Sequence, residues 1–173
     1  MNCQIIIYNY ESPCGKLVVG SFGDRICMCD WTLGQKHEAN RRRIARLLRA
    51  DFAEGLTPVI ERATAQLDEY FAGVRRDFDV PLLFAGTEFQ KKVWETLLTI
   101  PYGQTISYGE MARLIGMPTA VRAVAAAVGA NAISVIAPCH RIIGRSGSLT
   151  GYAGGIEAKR FLLELENQES QTD

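Results

Sequence analysis

The chain changes character once, between Pro81 and Gly86, and this change limits its possible folds more than any other feature. Before it, three β-prone runs are separated by turn residues, a pattern typical of an antiparallel meander. These runs are residues 5–8, 16–21 and 25–31. After it, apolar residues recur at helical spacing in short segments. We therefore predict an α+β chain, in which residues 1–85 form a small antiparallel β-sheet with helices and residues 86–173 form a mostly helical domain.

Two helices and one further strand are predicted in the first half. The apolar face across residues 38–50 predicts a helix whose remaining surface is rich in arginine. We interpret that surface as solvated, because nearby acidic residues offset its charge. Thr57 and Pro58 are typical of a helix start, and the apolar stripe after them runs to Gly73. Residues 76–80 alternate enough to predict a strand.

Three helices are predicted in succession after the boundary. Thr87 is predicted to cap the first of them. Ser107 and Glu110 have the spacing of a capping box and open a short second helix. A turn at Gly116 leads into the third, residues 119–128. Two short helices joined by a glycine-containing turn are typical of a helix-turn-helix, although unrelated helical hairpins share that outline.

The helix at residues 119–128 has an unusual composition, because it is rich in alanine and its only charge is Arg122. Small side chains allow another backbone to approach closely, either that of a neighbouring helix or that of a nucleic acid. Further along the chain, residues 149–152 are predicted as the second arm of a hairpin. Helix, helix and hairpin in this order resemble a winged helix-turn-helix.

A buried strand is predicted at residues 133–137, which are apolar and β-prone. Pro138 would end regular pairing, so Cys139 would emerge from the core directly after it. A cysteine nucleophile reacts as its thiolate, and His140 is an adjacent base. The alternative is a cysteine that is simply buried, which is common in folded proteins.

A carboxylate that orients the histidine would come from the last predicted helix, residues 156–166. That helix offers Glu157, Glu164 and Glu166, and their spacing does not select among them. The polar segment after it, residues 167–173, is predicted to be disordered.

Composition limits the classes of function. The chain has 19 basic and 19 acidic residues, and division before Gly86 leaves 11 of each sign in the first part and 8 of each in the second. A DNA-binding surface must therefore be a local patch rather than a domain-wide field. The five cysteines show no disulfide-framework pattern. The sequence also contains no apolar run of membrane length and no secretory signal. These features predict an intracellular protein that contacts no membrane.

One set of motifs in the second half resembles a known family. The run Pro138-Cys139-His140-Arg141 is preceded by Asn131 and followed by Gly151-Tyr152 and Gly154-Gly155. Together with earlier segments in the same order and spacing, it resembles the O6-alkylguanine-DNA alkyltransferases. The earlier segments are Thr87-Glu88-Phe89-Gln90, Val93-Trp94, Ile100-Pro101-Tyr102-Gly103, Ser107-Tyr108 and the alanine-rich helix. The similarity covers about half of the chain continuously, and the N-terminal half agrees only loosely.

The resemblance implies direct, stoichiometric DNA repair, in which an alkyl group moves irreversibly from O6-alkylguanine to a cysteine of the protein, with O4-alkylthymine as a further candidate substrate. Cys139 is the implied acceptor, His140 activates it through a bound water, and Glu166 is the carboxylate behind the histidine. Tyr108 is implied to donate to guanine N3 as the base leaves. The resemblance also implies a ribonuclease H-like N-terminal domain and no cofactor.

The implied partner is double-stranded DNA, bound through its minor groove with the alkylated base flipped out. Arg122 would occupy the vacated place in the base stack, and Asn131 would brace the turn before the cysteine. Further contacts with DNA or with the lesion are implied for Ala123, Ala126, Arg141, Tyr152 and Ala153. The protein is expected to be a monomer, in the cytoplasm or in the nucleus of a eukaryotic host.

Departures from the family pattern affect two expectations. Some relatives bind zinc in the N-terminal domain, but Phe22 stands at one ligand position here and His37 is the only histidine in that half, so no metal is predicted. Ala132 and Ser134 stand where many relatives carry proline, which bears on the rigidity of the pocket and on its tolerance of bulky alkyl groups.

Three other functions are compatible with parts of the sequence. A module that binds alkylated bases without repairing them would lack the acceptor, whereas this chain has Cys139. A winged-helix regulator with a redox cysteine would bind a defined DNA sequence. A Cys-His hydrolase would turn over repeatedly on esters or peptides, although the adjacent order of the two residues does not favour it.

Overall fold

The computed structural model describes residues 3–171, and its first half is built on a four-stranded sheet. The strands are β1 (Gln4–Ser12), β2 (Gly15–Phe22), β3 (Arg25–Trp31) and β4 (Asp51–Glu54). The first three form an antiparallel meander with β2 in the middle. This arrangement confirms the predicted fold of the N-terminal half.

The fourth strand was not predicted. β4 pairs in parallel with the start of β1, from Gln4 to Ile7. The helix between β3 and β4 is α1, Gln35–Leu48, and Arg49 follows it in the left-handed conformation with φ 51°, which turns the backbone into the strand. A four-residue segment with acidic ends carries too little periodicity to be recognised without its partner strand.

Residues 76–80 do not form the predicted strand. The linker instead meets the edge of β3 slightly later, where Ile26 N donates to Pro81 O and Leu83 N donates to Ile26 O, each at 2.8 Å. A single bridge between Ile26 and Leu82 therefore replaces a ladder. The linker covers polar groups that an open sheet edge would expose.

Helix α2, Pro58–Phe71, packs on the sheet and begins as predicted, with Thr57 accepting a hydrogen bond from a backbone N–H of its first turn. Leu67 of this helix belongs to the same buried cluster as Ile133 and Leu162 of the second half. The two halves thus share a core. The division at residue 85 remains a prediction.

The three predicted helices of the second half are present. They are α3 (Glu88–Leu97), α4 (Tyr108–Leu114) and α5 (Val121–Gly129). Capping boxes open the first two, formed by Thr87 with Gln90 and by Ser107 with Glu110. Helix α5 packs against both α3 and α4, so the short helices form the predicted helix-turn-helix pair.

The predicted strand at residues 133–137 is wrong. Only Ile133 pairs, in one bridge with Cys29 of β3. The chain then turns through Val135, whose φ is 70°, and Cys139–Arg141 form one turn of 3₁₀ helix. The segment is buried as expected. Ser134 N donates to Cys29 O of β3 at 2.7 Å, but beyond this point the backbone groups bond within the turn, where Ala137 N donates to Ile133 O at 3.0 Å.

The wing also differs from the prediction. A two-stranded sheet joins β5, Ile106–Ser107, in parallel to β6, Ile142–Ile143. Residues 149–152 contain no strand, so the predicted hairpin arm is wrong. The turn closes through Gly144 N, which donates to Ser148 O at 2.8 Å. The remaining chain runs back irregularly toward the core.

The last helix, α6, Ile156–Gln171, is longer than predicted. Residues 167–171 continue it, in contrast to the predicted disorder, and residues 172–173 lie outside the described part of the chain. Among the helices of residues 3–171, none is long and apolar enough to cross a membrane.

Candidate active site

The turn that carries Cys139 is held together by one buried amide side chain. Asn131 Nδ2 donates to Ala137 O, and Ile133 N donates to Asn131 Oδ1, both at 2.9 Å. The turn also includes Val135 in the left-handed region, which is strained for a β-branched residue. These bonds fix the backbone directly before the cysteine.

Cys139 faces a small cavity of about 80 Å³. The thiol residue itself is 7% exposed. The cavity brings together five residues that the sequence analysis assigned to the site, from three separate segments of the chain. They are Tyr108, Asn131, Cys139, Tyr152 and Ala153. A cavity of this kind shields a thiol from bulk water while leaving one side open to a ligand.

The electrostatic surroundings of the thiol act in opposite directions. Burial raises the pKa of Cys139, because a thiolate loses hydration in the interior. The side chains of Asn131 and Ser134 and the ammonium group of Lys159 lower it. The thiol therefore needs a proton acceptor to become a nucleophile.

The acceptor is positioned by a buried ion-pair cluster. His140 Nε2 lies 2.7 Å from Glu166 Oε2, with the two residues 0% and 1% exposed. Arg141 donates from Nε to Oε1 at 2.8 Å and from Nη2 to Oε2 at 3.0 Å. Burial acts to raise the pKa of Glu166, but His140 and Arg141 outweigh it and hold the pKa well below its usual range.

The cluster selects one of the three glutamates that the sequence left open. Glu166 is buried against His140, whereas Glu157 pairs with Arg160 at the surface and Glu164 is exposed. Spacing alone could not distinguish them, because the choice depends on which face of α6 meets the 3₁₀ turn.

The imidazole is prepared to accept a proton on its other nitrogen. Burial lowers the pKa of His140, while its bond to Glu166 acts in the opposite direction. Because Glu166 is a carboxylate and only accepts, Nε2 must carry the hydrogen in the neutral ring. Nδ1 is then an acceptor, and it has no hydrogen-bond partner among residues 3–171. This tautomer is the one that a general base requires.

Arg141 is placed differently from the other predicted contact residues. It is 7% exposed, and Nη1 donates to Ile100 O at 2.6 Å while the other donors reach Glu166. This placement does not favour the contact with DNA or lesion that the resemblance implied. It favours a role in holding Glu166.

Helix α5 presents the remaining predicted residues to solvent. Arg122, Ala123 and Ala126 are exposed, whereas Val124 and Ala127 are buried against the core. The side chain of Arg122 has no hydrogen bond or ion pair with residues 3–171. The exposed face of α5 therefore combines small side chains with the guanidinium group of Arg122.

Sequence reasoning missed Lys159. This residue is 1% exposed, lines the cavity of Cys139 and donates from Nζ to Ile142 O at 2.6 Å. The sequence did contain an indication that Lys159 lies on the buried face of α6. Lys159, Leu162 and Glu166 are spaced by three and four residues and therefore share one face of the helix. A lysine on an apolar helix face is costly unless it has a partner.

We predict that Lys159→Met raises the pKa of Cys139 by about one unit and slows alkyl acceptance at neutral pH by about tenfold, because the ammonium charge favours the thiolate. The rate of iodoacetamide labelling of the Cys139 peptide, followed against pH, measures this shift. Lys92→Met removes an exposed lysine of α3 and serves as the control. An unchanged labelling profile in folded Lys159→Met would contradict the assignment.

Metal ligands do not cluster in the described residues. No group of three or more histidine, cysteine, aspartate or glutamate side chains is arranged to hold an ion between residues 3 and 171. The cysteines there are all free thiols. His37 Nδ1 lies 2.9 Å from Asp30 Oδ2.

Fold and site together define a class of protein, one that holds a protected Cys-His-Glu arrangement beside a helix-turn-helix. Residues 88–168 match the family model described as 6-O-methylguanine DNA methyltransferase, DNA binding domain, and residues 6–84 match the ribonuclease-like domain of the same methyltransferases. The chain belongs to the 6-O-methylguanine DNA methyltransferase family.

Individual relatives support this membership. The chain is 41% identical over 162 residues to the constitutive methylated-DNA–protein-cysteine methyltransferase of Bacillus subtilis strain 168, a match that spans 90% of this chain and 92% of the relative. It is also 59% identical over 111 residues to the methylated-DNA–protein-cysteine methyltransferase of Mycobacterium tuberculosis H37Rv. This match spans 64% of this chain and 67% of the relative. The crystal structure of Mycobacterium tuberculosis OGT in complex with DNA superimposes with a TM-score of 0.80 at 42% identity, covering 96% of this chain and 94% of that one.

Proposed function

We propose that this protein repairs alkylated DNA by transferring the alkyl group from guanine O6 to Cys139. The observation that carries the proposal is the small cavity that Cys139 faces, together with the next residue in the chain, His140, whose Nε2 is held 2.7 Å from Glu166 Oε2. A bond forms between sulfur and the alkyl carbon as the bond from that carbon to O6 breaks. O4-alkylthymine presents a similar oxygen and is a further candidate substrate.

One proton transfer accompanies this step, and a hydrogen bond to the leaving purine offsets its negative charge until the guanine takes up a proton from water. The thiol proton passes to His140 Nδ1, through a bound water where the two groups do not touch, and Glu166 stabilises the imidazolium that results. The purine leaves with excess negative charge, which a hydrogen-bond donor at N3 offsets. We assign that donor to Tyr108, whose hydroxyl lies 2.8 Å from Thr150 Oγ1 and would exchange this partner for the base.

The other residues of the cavity hold the base or the turn. Backbone N–H groups of Tyr152 and Ala153 are candidates to donate to O6, since both residues line the cavity. Asn131 braces the turn before the cysteine through its bond to Ala137 O. Arg141 contributes indirectly, by neutralising Glu166.

The reaction makes the protein a reagent that acts once. The product is a thioether, and a thioether sulfur offers neither a hydrogen to lose nor a good leaving group for a second attack. The nucleophile is the protein's own thiolate, so we propose no cofactor for the transfer step. Each molecule should therefore repair one lesion and remain alkylated.

Double-stranded DNA is the proposed partner. The solved relative from Mycobacterium tuberculosis was crystallised with DNA at 42% identity, and α5 offers Arg122 among exposed alanines. Ala123 and Ala126 allow close approach to a minor-groove backbone, and Arg122 can fill the gap left by a flipped nucleotide. We propose that the protein acts as a monomer in the cytoplasm, or in the nucleus if its host is a eukaryote.

We predict that Arg122→Ala folds normally but repairs duplex DNA at least about tenfold more slowly, because an extruded base returns to the stack when nothing occupies its place. Transfer from free O6-methylguanine base, which needs no flipping, should change by less than about twofold. Arg46→Ala, an exposed arginine on α1, is the control and should behave as wild type. Equal losses on both substrates would contradict the flipping role.

Titration of the protein with a duplex that contains one O6-methylguanine tests the proposed function. Restored guanine should rise to one equivalent per protein molecule and then stop. Tight binding without restored guanine would indicate a lesion-binding module. Release of product beyond one equivalent would indicate a turning-over enzyme, and sequence-specific binding to undamaged DNA would indicate a regulator.

A further inference from the structure

We propose that Tyr70 of α2 is a positioning residue for alkyl transfer, which sets the strength with which Glu166 holds His140. The inference rests on the proposed function and extends it to the N-terminal half of the chain. Tyr70 lies 96 residues before Glu166, on a helix that packs against the sheet and carries none of the site residues described above.

The geometry places Tyr70 and His140 on the same oxygen atom. Tyr70 donates from its hydroxyl to Glu166 Oε2 at 2.6 Å, and His140 Nε2 lies 2.7 Å from that oxygen. Tyr70 is 0% exposed. Any change in the charge density on Oε2 is therefore felt directly by the imidazole.

The other carboxylate oxygen is occupied from different sides. Oε1 accepts from Arg141 Nε at 2.8 Å and from Gly103 N at 3.3 Å. Arg141 Nη2 reaches Oε2 at 3.0 Å. Glu166 is thus surrounded by donors, and Tyr70 is the only one of them that the first half supplies among the described residues.

The hydroxyl can act only as a neutral donor in this place. Burial and the carboxylate of Glu166 raise the pKa of Tyr70 well above its usual value of 10.0. A hydrogen bond to a carboxylate withdraws electron density from it and makes it a weaker partner for a protonated histidine. Tyr70 thereby limits how strongly Glu166 retains the imidazolium proton.

Packing alone does not require this hydroxyl. The Tyr70 ring lies edge-on to Phe71 and Tyr102, with centroids 5.2 Å and 6.2 Å away, and it is tilted against Phe78 at 5.5 Å. A phenylalanine would keep those contacts. Only the bond to Glu166 would be lost.

Several charged or titratable groups face His140 besides Tyr70. Helix α6 contributes Glu166 and Lys159, and the 3₁₀ turn contributes Arg141 and Cys139. Tyr102, from the loop before β5, faces Tyr70 from another side. None of these groups is altered by the change of Tyr70 to phenylalanine, so a shift at His140 in that variant reports the hydroxyl alone.

The test uses Tyr70→Phe in the full chain, with Tyr10→Phe as the matched control. Tyr10 donates to Asp68 Oδ1 at 2.7 Å, so the control also breaks a tyrosine-carboxylate bond of the first half. The chain has two histidines, His37 and His140, and a His37→Gln variant assigns their NMR signals. In Tyr70→Phe, the pKa of His140 should rise by about one unit, because Oε2 loses a donor and attracts the imidazolium more strongly.

Alkyl transfer supplies the second readout. The acid side of its pH–rate profile should move to higher pH in Tyr70→Phe, by as much as the pKa of His140 rises. The transfer rate on the acid side should then fall about tenfold, while the rate at high pH should be nearly unchanged. Site-specific fluorotyrosine at position 70 makes the hydroxyl a stronger donor and should move the acid side of the profile to lower pH. Tyr10→Phe should change neither measurement.

An unchanged His140 titration in folded Tyr70→Phe and in the fluorotyrosine protein would overturn the proposal. A uniform loss of rate at every pH would also overturn it, since it would indicate general loosening of the site. If wild-type protein transferred no methyl group, the proposed function would fail, but the NMR titration would still decide the role of Tyr70.

Discussion

Replacing Arg141 with methionine should destabilise the protein by about 3–5 kcal/mol at pH 7, because it leaves the Glu166 carboxylate buried without its main counter-charge. Arg141 binds both carboxylate oxygens and Ile100 O. Since small domains are stable by about 5–15 kcal/mol, this change would remove a large part of the total. Urea unfolding monitored by tryptophan fluorescence measures the loss.

Arg160→Met is the control for the loss of an ion pair as such. Arg160 contacts Glu157 at 2.6 Å, but both side chains are largely exposed, and such pairs contribute about 0–1 kcal/mol. A loss in Arg141→Met no larger than that in Arg160→Met would contradict the buried cluster.

The cost of Arg141→Met should also depend on pH. The pKa of Glu166 is well below its usual 4.5 in the folded wild-type protein, so its stabilising contribution is present above about pH 4.5 and declines as the pH falls toward the folded value. The difference between Arg141→Met and wild type should therefore narrow in acid. A difference that stays constant from pH 7 to pH 3 would contradict the ion pair.

Cys139→Ser should abolish alkyl transfer, with a rate at least about a thousandfold below wild type, while lesion binding persists. Serine preserves the size of the side chain, but a hydroxyl at neutral pH is a far weaker nucleophile than a thiolate. Cys3→Ser is the control, because Cys3 is the exposed cysteine and would be the first to react if accessibility alone decided which thiol is alkylated. Restored guanine and duplex binding should be measured on the same samples.

Retained transfer in Cys139→Ser, or loss of transfer in Cys3→Ser, would contradict the assignment of the acceptor. Loss of both binding and transfer in Cys139→Ser would show that the serine had disturbed the cavity. Cys139→Ala then separates the two cases, because it removes the polar atom as well.

Local chemistry made several elements predictable. The capping boxes at Thr87 and Ser107 involve groups three residues apart, so the sequence alone contains the whole interaction. The meander is similar, since its turns lie between the strands that they connect. The meander and the helices of both halves followed from such signals.

The errors occurred where distant residues decide the local structure. Residues 133–137 have a strand-like composition, but the side chain of Asn131 and the edge of β3 bind their backbone in a turn. Residues 149–152 form no strand because β6, the partner that a hairpin would require, pairs with β5 instead. Composition cannot report a partner that lies tens of residues away.

The site was predictable in part, through resemblance rather than through spacing. Cys139 and His140 stand out as adjacent reactive groups, and the resemblance implied Glu166. Spacing alone did not distinguish Glu166 from Glu164, because that distinction depends on the orientation of α6. Lys159 and Tyr70 were missed, and Tyr70 could not have been found locally, since its only relation to the site is a hydrogen bond across 96 residues.

The central claim is that Cys139 accepts the alkyl group, and the mass of the intact protein tests it most directly. After incubation with a duplex containing O6-methylguanine, the protein should gain the mass of one methyl group per molecule, and peptide mapping should place it on the peptide that contains Cys139. Protein with no added mass, or with the methyl group on another residue, would contradict the account.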